Sequence, residues 1–462
     1  MAHTLQIRRR PGPPGRAYAQ EVTSTDPAGA VVRSVRNALS GGPAYAPQPR
    51  LSDAAVPPGT ALVLRTSGST GDPREVALGA AALRASAEAT HERLGGPGRW
   101  LLVLPPTHVA GVQVINRTVV AGTEVRVGDL APFTPEAFAA LARDFLDAPG
   151  GGGPGGRAYV SIVPTQLHRL VAAADGGAAD GGAGSDPSDD GLAQLARFDA
   201  VLVGGAATPA PLLARARAAG VRVVTTYGMS ETSGGCVYDG VPLAGVRVRL
   251  ADAGGSTPAD AENGAPDGPA RTGVVELSGP VLAEGYVGDP DATAAAFRTD
   301  PDGTRWFRTS DLGRLDDGRL TILGRADDVV LTGGVNVAPA AVEDAIAEHL
   351  AGLGTPGEAC VVGVPDDEWG QAVVAVVVLP DQADVKEQGE PHDPLPLADA
   401  EGELLAGLRA AVGQRLGAPA APRRVYVTAS LPTRGPGKTD RRAVRDAVVQ
   451  AERKLDREPV RP

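Results

Sequence analysis

The chain has 462 residues, with 55 acidic and 44 basic side chains and a formal net charge of −11. This length is sufficient for about two to three domains with large hydrophobic cores. The excess of negative charge argues against a nucleic-acid-binding protein, because a phosphate backbone favours basic surfaces.

Cysteine usage and apolar runs restrict the class of protein further. Cys236 and Cys360 are the only cysteines, which excludes a disulfide framework, and no Cys/His cluster has metal-ligand spacing. The longest apolar run, 372–379, has the length of a strand and not of a membrane span. Residues 1–16 are basic and lack an apolar core, so we predict no secretory signal. We expect a cytoplasmic protein without integral membrane association.

The first half of the chain has the pattern of an α/β domain. Residues 1–58 are polar and proline-rich, with one helix predicted near 28–39. Aliphatic runs then alternate with helical patterns to about residue 230, which favours a mostly parallel sheet covered by helices. The predicted strands are 61–64, 100–105, 123–127, 158–163, 200–205 and 221–227. Thr134-Pro135 and Thr208-Pro209 predict helix starts, because a capping residue precedes proline at the first helical position.

The second half changes character twice. Residues 242–325 are rich in strands and turns, and from about 328 the pattern is that of a small α+β domain. In that domain we predict helices at 338–350 and 402–416, a hairpin at 365–371, a strand at 424–428 and a terminal helix. Four segments have the composition of solvated insertions without chemistry: 149–156, 174–191, 252–271 and 381–400. The predicted fold class is α/β: a large N-terminal domain of mostly parallel sheets with a β-rich subdomain, and a small, mobile α+β C-terminal domain.

The segment 66–74, "TSGSTGDPR", follows the first predicted strand and is typical of an anion-binding loop. Its glycines leave backbone N–H groups open, and its hydroxyls supply further donors. It is not the GxxxxGK[ST] phosphate loop, because no Gly-Lys pair follows. A Ser/Gly turn without a ligand is the alternative for this segment alone.

The segment 225–232, "TTYGMSET", stands at the end of a predicted strand. Ligands of open α/β sheets bind outside such strand ends. The ring of Tyr227 offers a stacking face for a base, while Ser230 and Glu231 can meet phosphate and Mg²⁺. A turn with an incidental acidic residue is equally compatible with the local pattern.

Asp311 in "WFRTSDLGRL" and Arg325 in "LGRADDVV" are candidates for ribose recognition. A carboxylate can accept hydrogen bonds from two vicinal hydroxyls, and a guanidinium adds a fixed fork of donors. Taken alone, each residue is more typical of a surface ion pair.

Lys438 in "PTRGPGKTDRR" is one of only three lysines among 44 basic residues. A lysine in a chain that uses arginine almost everywhere indicates a need for a compact ammonium, which can approach a carboxylate and a phosphate together. A solvated basic loop is the alternative.

In this order and at these spacings, the four segments resemble the adenylate-forming acyl-CoA synthetase superfamily, which includes firefly luciferase, over residues from about 60 to 445. The resemblance implies ATP, Mg²⁺ and coenzyme A as cofactor and co-substrates. It also implies domains 1–325 and 326–462 with a hinge at Asp327, about which the small domain swings between two half-reactions. Lys438 would enter the active site for adenylation and leave it before the second half-reaction. Arg74 stands where the family's phosphate loop usually ends in lysine.

The site residues that this resemblance implies can be grouped by the part of the reaction that they would serve. The β- and γ-phosphates would bind at Thr66, Ser67, Gly68, Ser69, Thr70, Gly71 and Arg74, and Lys438, Glu231 and Thr70 would be catalytic. The adenine and the rest of the nucleotide would lie at Gly204, Gly205, Ala206, Thr226, Tyr227, Gly228, Met229 and Ser230, with Mg²⁺ on Glu231. Asp311 and Arg325 would hold the ribose, and Gly333 and Gly334 would shape the path of CoA.

Within the superfamily, the segment 105–125 resembles the acid-binding segment of the o-succinylbenzoate–CoA ligases of menaquinone biosynthesis. The segments 161–170, 202–209 and 227–243 also look like actinobacterial members. This resemblance implies that o-succinylbenzoate, ATP and CoA give o-succinylbenzoyl-CoA, AMP and diphosphate through an acyl-adenylate. The substrate-binding set would be His108, Gly111, Arg117, Gly204 and Ser233.

One part of this assignment can be derived from periodicity. In the apolar helical stretch 109–121, Gln113, Asn116 and Arg117 fall on one face at i, i+3 and i+4. A polar stripe on a buried helix could line a pocket for a dicarboxylic acid, and Arg117 would then neutralise the carboxylate that does not react. A solvated helix face is the alternative.

Other functions stay open on the sequence alone. A ligase for another aryl or fatty acid would share the chemistry, and a catalytically inactive nucleotide-binding homologue is compatible with Arg74. We expect small-molecule partners only, with a homodimer left open.

Overall fold

The computed structural model describes residues 3–5, 9–10, 18–19, 27–66, 73–128, 133–148, 156–179, 190–252, 271–355, 357–379, 395–400, 402–434 and 438–455. The chain divides into two compact units. Unit 1 consists of Met1–Ala206, Arg215–Thr309 and Arg314–Thr321, and unit 2 of Ala207–Ala214, Ser310–Gly313 and Ile322–Pro462. The boundary at 325/326 stays a prediction.

Strands outnumber helices in the described part of the chain. The strands are β1 (His3–Leu5), β2 (Arg9–Arg10), β3 (Tyr18–Ala19), β4 (Thr60–Thr66), β5 (Arg74–Gly79), β6 (Arg99–Leu102), β7 (Val125–Val127), β8 (Ala158–Ile162), β9 (Ala200–Gly204), β10 (Val223–Met229), β11 (Gly234–Tyr238), β12 (Val241–Pro242), β13 (Arg247–Ala251), β14 (Arg271–Ser278), β15 (Gly285–Tyr286), β16 (Phe297–Thr299), β17 (Arg305–Asp316), β18 (Arg319–Arg325), β19 (Val330–Thr332), β20 (Val335–Val337), β21 (Glu358–Asp366), β22 (Gly370–Val378), β23 (Ala398–Asp399), β24 (Arg424–Thr428), β25 (Thr433–Arg434) and β26 (Lys438–Thr439). The α-helices are α1 (Pro27–Leu39), α2 (Ala80–Arg93), α3 (Val109–Ala121), α4 (Pro135–Asp147), α5 (Pro164–Ala179), α6 (Gly191–Ala196), α7 (Ala210–Ala218), α8 (Pro290–Ala296), α9 (Pro339–Gly352), α10 (Gly402–Leu416) and α11 (Arg441–Leu455). Short 3-10 helices cover Ser230–Thr232 and Ala326–Asp328.

The main sheet of unit 1 has the strand order β1-β7-β6-β8-β9-β10-β11-β12. Its five central strands, β7, β6, β8, β9 and β10, pair in parallel. Strand β1 at one edge and strands β11 and β12 at the other are antiparallel to their neighbours. Strands β6, β7, β8 and β9 are buried along most of their length, because helices connect them and cover the sheet, whereas β10 is half-buried after Val223. The predicted α/β class with a mostly parallel sheet is confirmed.

One predicted strand lies in a different sheet from the one we expected. Residues 61–64 do form a strand, but β4 pairs antiparallel with β5, and β15 completes a three-stranded sheet of its own. Residues 74–79 were not predicted as a strand. The assignment to the parallel sheet was wrong because β4 and β5 form a hairpin around the segment 67–73, and pairing of sequence neighbours needs no crossover helix.

The predicted β-rich region contains a sheet with the order β13-β14-β17-β16. A buried ion-pair network crosses it: Arg249 pairs with Glu276 at 2.7 Å, and Arg308 reaches the same carboxylate at 3.0 Å. Trp306 lies beneath Arg249, with its ring centroid 4.0 Å from the guanidinium. The chain passes between the two units along β17 and β18.

Unit 2 is built on a sheet with the order β20-β19-β22-β24-β23, with β21 beside β22. Its core of aliphatic side chains lies between this sheet and helices α9 and α10. The hairpin predicted around 365–371 is confirmed as the turn between β21 and β22, and the predicted helix 402–416 and strand 424–428 have these bounds in the structure.

Helix starts follow their local signals closely. Thr134 Oγ1 accepts a hydrogen bond from Ala137 N at 3.2 Å and Pro135 opens α4, as predicted. At Thr208-Pro209 the helix begins at Ala210, one residue later than expected. Among the described helices, none is both long and apolar enough to cross a membrane.

Two predicted insertions are partly ordered. Residues 174–179 continue α5, and 398–399 form β23, which pairs with β24. The interpretation as solvated loops was wrong there because composition does not register a helix or strand that is held by its neighbours. Residues 149–155 and 253–270, in the other two insertions, lie outside the described residues.

Candidate active site

The carboxyl ends of β9 and β10 bring two predicted segments together. Thr226 pairs with Gly204 in parallel register, so 204–206 and 226–228 lie side by side at the same edge of the main sheet. A Cβ atom at Gly204 would lie 2.1 Å from Thr226 Oγ1, so only glycine fits there. Gly205, with φ of +90°, and Ala206 are exposed. The two segments therefore form one wall at this edge of the sheet, and their role in flanking an adenine stays a prediction.

The turn after β10 positions Glu231 at this sheet edge. Residues 230–232 form one 3-10 turn, held by Thr232 Oγ1, which accepts from Met229 N at 3.0 Å and donates to the Gly234 carbonyl at 2.8 Å. Gly228 packs against the next strand, and a Cβ there would lie 2.1 Å from the Gly234 oxygen. Glu231 is 9% exposed and its carbonyl accepts from Ala283 N at 2.8 Å.

Tyr286 is a site residue that sequence reasoning missed. Its hydroxyl donates to Glu231 Oε1 at 2.9 Å, and its ring lies under Arg74, with 5.2 Å between guanidinium carbon and ring centroid. Burial, and next the Glu231 carboxylate, raise the pKa of Tyr286. No local signal marks Tyr286, because the pairing of β15 with β5 carries it there over a long sequence separation.

The β4–β5 hairpin carries Thr66 and Arg74, the two residues at the ends of the predicted phosphate-loop segment. Thr66 and Arg74 are register partners at the end of the hairpin where the connecting segment joins the two strands, and Arg74 contacts Tyr286, which hydrogen-bonds Glu231. The loop residues Ser67, Gly68, Ser69, Thr70 and Gly71 lie outside the described residues. The described part thus places Arg74 beside Tyr286, the hydrogen-bond partner of the predicted magnesium ligand.

Glu231 fits the binding of Mg²⁺ in its donor chemistry. Mg²⁺ is commonly held by one or two protein carboxylates together with substrate phosphates and water. Glu231 offers one buried carboxylate that is already oriented by Tyr286.

The stretch 108–117 was predicted to bind the acid, and the structure gives each member a defined setting. His108 precedes α3 and its Nδ1 lies 3.0 Å from Thr107 Oγ1. Gly111 allows α3 to pack on the strand end before it, since a Cβ there would lie 2.2 Å from the Pro105 carbonyl oxygen. The close contact fixes the direction of α3 next to β6.

The polar stripe of α3 is buried, and the solvated-face alternative is therefore wrong. Gln113, Asn116 and Arg117 are 1%, 0% and 4% exposed. Asn116 donates to the Leu83 carbonyl at 2.8 Å, and Gln113 Nε2 donates to the Ser233 carbonyl. These two amides tie α3 to α2 and to the turn that follows Glu231.

Arg117 has a setting of its own. Its guanidinium lies over the ring of Trp100 at 5.0 Å, and Nη2 donates to the Tyr238 hydroxyl at 3.1 Å. Among the described residues, its Nε has no hydrogen-bond partner and no carboxylate lies within ion-pair distance of its guanidinium. Burial and the charge of Arg117 lower the pKa of neighbouring His91 to about 4, so His91 is neutral at neutral pH.

Ser233 was predicted to contact the substrate, and the structure does not favour that role. The residue is fully buried, and its hydroxyl donates to the Val281 carbonyl at 2.8 Å. Its backbone has φ of +52°, and its carbonyl accepts from Ser86 Oγ at 3.1 Å. Ser233 therefore closes the turn behind Glu231.

In unit 2 the predicted ribose-binding pair lies together. Arg325 Nη1 is 3.8 Å from Asp311 Oδ1, and Arg325 Nη2 donates to Asp327 Oδ2 at 3.0 Å. The three residues form one charged group at the end of β18. The Asp311 side chain is 15% exposed.

Gly333 and Gly334 form the two-residue turn between β19 and β20, with φ of +56° and +78°. These angles favour glycine, and a Cβ at Gly333 would lie 2.5 Å from the ring of Trp369. Leu331 and Val335, on either side of the turn, are exposed.

Lys438 pairs with Arg434 in the β25–β26 ladder, and its side chain lies outside the described part of the structure.

Comparison with known proteins identifies this arrangement. Residues 15–287 match the family model of the AMP-binding enzymes, and residues 341–438 match that of the AMP-binding enzyme C-terminal domain. The chain belongs to the AMP-binding enzyme family. The predicted resemblance is thereby confirmed, and with it the α/β architecture with a large N-terminal and a smaller C-terminal domain.

Curated relatives within the AMP-binding family are CoA ligases, and the chain is accordingly a ligase. It is 41% identical over 394 residues to a probable 2-succinylbenzoate–CoA ligase of Mycobacterium tuberculosis, covering 83% of each chain. It is 34% identical to a medium/long-chain-fatty-acid–CoA ligase of the same organism, covering 87% of this chain and 63% of that one.

Among solved structures, it is similar to the o-succinylbenzoate CoA synthetase of Bacillus subtilis in complex with its acyl-adenylate intermediate. The two are 25% identical with a TM-score of 0.60, over 84% of this chain and 69% of that one. ATP-bound MatB from Rhodopseudomonas palustris is also 25% identical, with a TM-score of 0.61 over 84% and 68%.

Proposed function

We propose that this AMP-binding family ligase converts o-succinylbenzoate, ATP and CoA into o-succinylbenzoyl-CoA, AMP and diphosphate, as a step of menaquinone biosynthesis. In the first half-reaction a carboxylate oxygen attacks the α-phosphorus of ATP and displaces diphosphate, which gives an acyl-adenylate. In the second, the CoA thiolate attacks the acyl carbon and displaces AMP. The names of the relatives at 41% and 30% identity support this choice of acid.

The observation that carries the choice of acid is Arg117. A buried guanidinium without a carboxylate partner among the described residues is costly unless an anion joins it. o-Succinylbenzoate has two carboxylates, of which only one is activated, and Arg117 would neutralise the other. A fatty acid offers no second anion, so an unpaired buried arginine does not favour the fatty-acid alternative.

The ATP side of the reaction would use the sheet edge already described. The wall of 204–206 and 226–228 would flank the adenine, and the loop after β4 would hold the β- and γ-phosphates. Glu231, oriented by Tyr286, would hold Mg²⁺, which neutralises phosphate charge when bound. Because both reactants of the first step are anionic, positive charge and in-line positioning are the main needs of catalysis.

Unit 2 would supply the residue that distinguishes the two half-reactions. We infer a hinge at Asp327 and domains 1–325 and 326–462, with Lys438 delivered to the carboxylate and α-phosphate for adenylation only. Lys438→Ala should then reduce acyl-adenylate formation to a small residual rate, while thioester formation from a supplied acyl-adenylate continues. Lys454→Ala, which removes the same charge elsewhere in unit 2, is the control. Equal loss of both half-reactions would refute the alternation.

The test of the proposed function is diphosphate release with ATP and CoA over a panel of acids, with mass spectrometry of the products. The panel contains o-succinylbenzoate, benzoate, a medium-chain fatty acid and a hydroxycinnamate. We expect turnover of o-succinylbenzoate alone and formation of its CoA thioester. Turnover of another acid in its place would overturn the substrate and keep the chemistry, whereas silence with every acid would favour an inactive nucleotide-binding homologue.

A further inference from the structure

Arg441, the first residue of α11, is the centre of a charged cluster that no part of the mechanism above uses. Its guanidinium pairs with both oxygens of Glu343 in α9, through Nη1 and, at 3.2 Å, through Nη2. Its Nε lies 3.4 Å from Asp328 Oδ2, and Nη1 also donates to the Val361 carbonyl. We call Asp328, Glu343 and Arg441 the Arg441 cluster.

The cluster is a strong anchor because one guanidinium lies between two carboxylates and all three groups are mostly sheltered. The side chains of Arg441, Glu343 and Asp328 are 28%, 18% and 33% exposed. Burial alone would lower the pKa of Arg441, but the Glu343 carboxylate raises it above its ordinary value. A two-oxygen pairing of arginine with a carboxylate also fixes the orientation of both side chains.

One member of the cluster lies next to the inferred hinge. Asp327 and Asp328 are consecutive in the 3-10 turn 326–328, yet they pair with different arginines: Asp327 with Arg325 at 3.0 Å and Asp328 with Arg441. Two successive residues therefore belong to two separate ion pairs, one with Arg325 and one with Arg441. Asp328 is fixed to the body formed by α9 and α11.

The other end of the cluster leads to Lys438. Strand β26 ends at Thr439, and Asp440 caps α11 by accepting a hydrogen bond from Ala443 N at 3.1 Å. Asp440 N donates to the Pro432 carbonyl at 2.7 Å, which closes the base of the β25–β26 hairpin. Only Thr439 and Asp440 separate Lys438 from the anchored Arg441.

We propose that Arg441 is a positioning residue for adenylation. It joins Asp328, directly after the hinge, to the base of the Lys438 hairpin, so that both move as one rigid body. Rotation about the hinge then returns the Lys438 backbone to the same place in each cycle. The proposal rests on the proposed function, since it assigns Lys438 to the first half-reaction.

The kinetic test is a double-mutant cycle on the full-length enzyme with the acid that the panel identifies. Arg441→Gln should lower the single-turnover rate of acyl-adenylate formation by about 100-fold, as expected for a reacting group displaced by about 1 Å. Thioester formation from supplied acyl-adenylate should stay within about twofold of wild type. In a Lys438→Ala background, Arg441→Gln should leave the residual adenylation rate unchanged. The control Arg442→Gln removes the same charge from the adjacent position.

A purely structural role predicts other results. Equal losses in both half-reactions, or the same loss with and without Lys438, would overturn the proposal. Asp328→Asn is the gentler variant, because it removes only the hinge-side contact and keeps the pairing with Glu343. It should reproduce the selective loss of adenylation, and a wild-type rate would count against the hinge-side link.

Amide hydrogen exchange tests the rigid body without any substrate. In Arg441→Gln, peptides that contain 326–330 and 438–440 should both exchange at least about tenfold faster than in wild type and in Arg442→Gln. Unchanged exchange would overturn the proposal even if every acid of the panel were silent. If no acid of the panel is turned over but exchange is faster in Arg441→Gln, the proposed function is rejected, while the rigid connection between Asp328 and the Lys438 hairpin is retained.

Discussion

Two sheltered arginines, one in each unit, have opposite electrostatic surroundings. Arg441 in unit 2 lies between the carboxylates of Glu343 and Asp328. Arg117 in unit 1 lies on the ring of Trp100 and donates to the neutral hydroxyl of Tyr238. In the part of the chain that the structure describes, Arg117 has no carboxylate partner. The neighbouring imidazole of His91 offers no opposite charge, because burial and Arg117 itself lower its pKa and keep it neutral.

The difference indicates two uses of a buried positive charge. A matched arginine stabilises the fold, and removing it leaves carboxylates without a counter-charge. An unmatched arginine contributes little to the fold, because the cost of its burial offsets its contacts, and it retains attraction for an anion from outside. The comparison therefore predicts that substitution of Arg441 mainly lowers the free energy of unfolding, whereas substitution of Arg117 mainly changes substrate choice.

The largest expected effect is on substrate choice. Arg117→Ala should lower kcat/KM for o-succinylbenzoate by an amount equivalent to about 2–5 kcal/mol, because a buried charge-assisted pair to the second carboxylate is lost. A monocarboxylic analogue that lacks the succinyl carboxylate should lose far less. The ratio of the two kcat/KM values in wild type and variant is the measurement, and an unchanged ratio would place Arg117 among purely structural residues.

The next effect is on the free energy of unfolding, measured by chemical denaturation. Arg441→Met should destabilise the protein by about 3 kcal/mol, since Glu343 and Asp328 then face each other without a cation. Arg117→Met should change stability by less than about 1 kcal/mol, because the lost ring and hydroxyl contacts are offset by relief of an unmatched buried charge. Similar losses of unfolding free energy in both variants would contradict the proposed difference between the two arginines.

The smallest effect is a pH dependence centred on His91. The pKa of His91 is about 4 in the folded protein, below its ordinary value of 6.5, so the unfolded chain binds a proton first as pH falls. Stability from this group is therefore complete above pH 6.5 and is lost as pH falls toward 4. Between about pH 7 and 5 the loss should be about 2 kcal/mol. Equal pH slopes of unfolding free energy in wild type and His91→Gln would contradict it.

Much of the fold could be predicted because its signals are local. The bounds of α3 follow from apolar periodicity that ends at Gly122, which adopts φ of +66°. The start of α4 follows from Thr134 and Pro135 alone. The order of the four motifs indicated the family, and family membership was confirmed.

The rest depended on contacts that periodicity does not record. The stripe of α3 was correctly placed on one face, but its burial follows from the packing of α2 and the turn at Ser233 against it. Tyr286 reached Glu231 through strand pairing, and Arg441 reached Glu343 across 98 positions. The motif around Lys438 contains Arg441, yet the letters alone do not distinguish it from the adjacent Arg442.

The two glycines at the ends of β9 and β10 limit how this sheet edge can vary. Gly204 and Gly228 each face an oxygen atom that a Cβ would approach to 2.1 Å, so neither position can accept a side chain without displacing a strand. Gly205 is exposed, but its φ of +90° also disfavours any side chain. Ala206 is exposed and already carries a Cβ. We therefore expect substitutions that change the shape of this wall to be tolerated at position 206. Substitutions at positions 204 and 228 should not be tolerated.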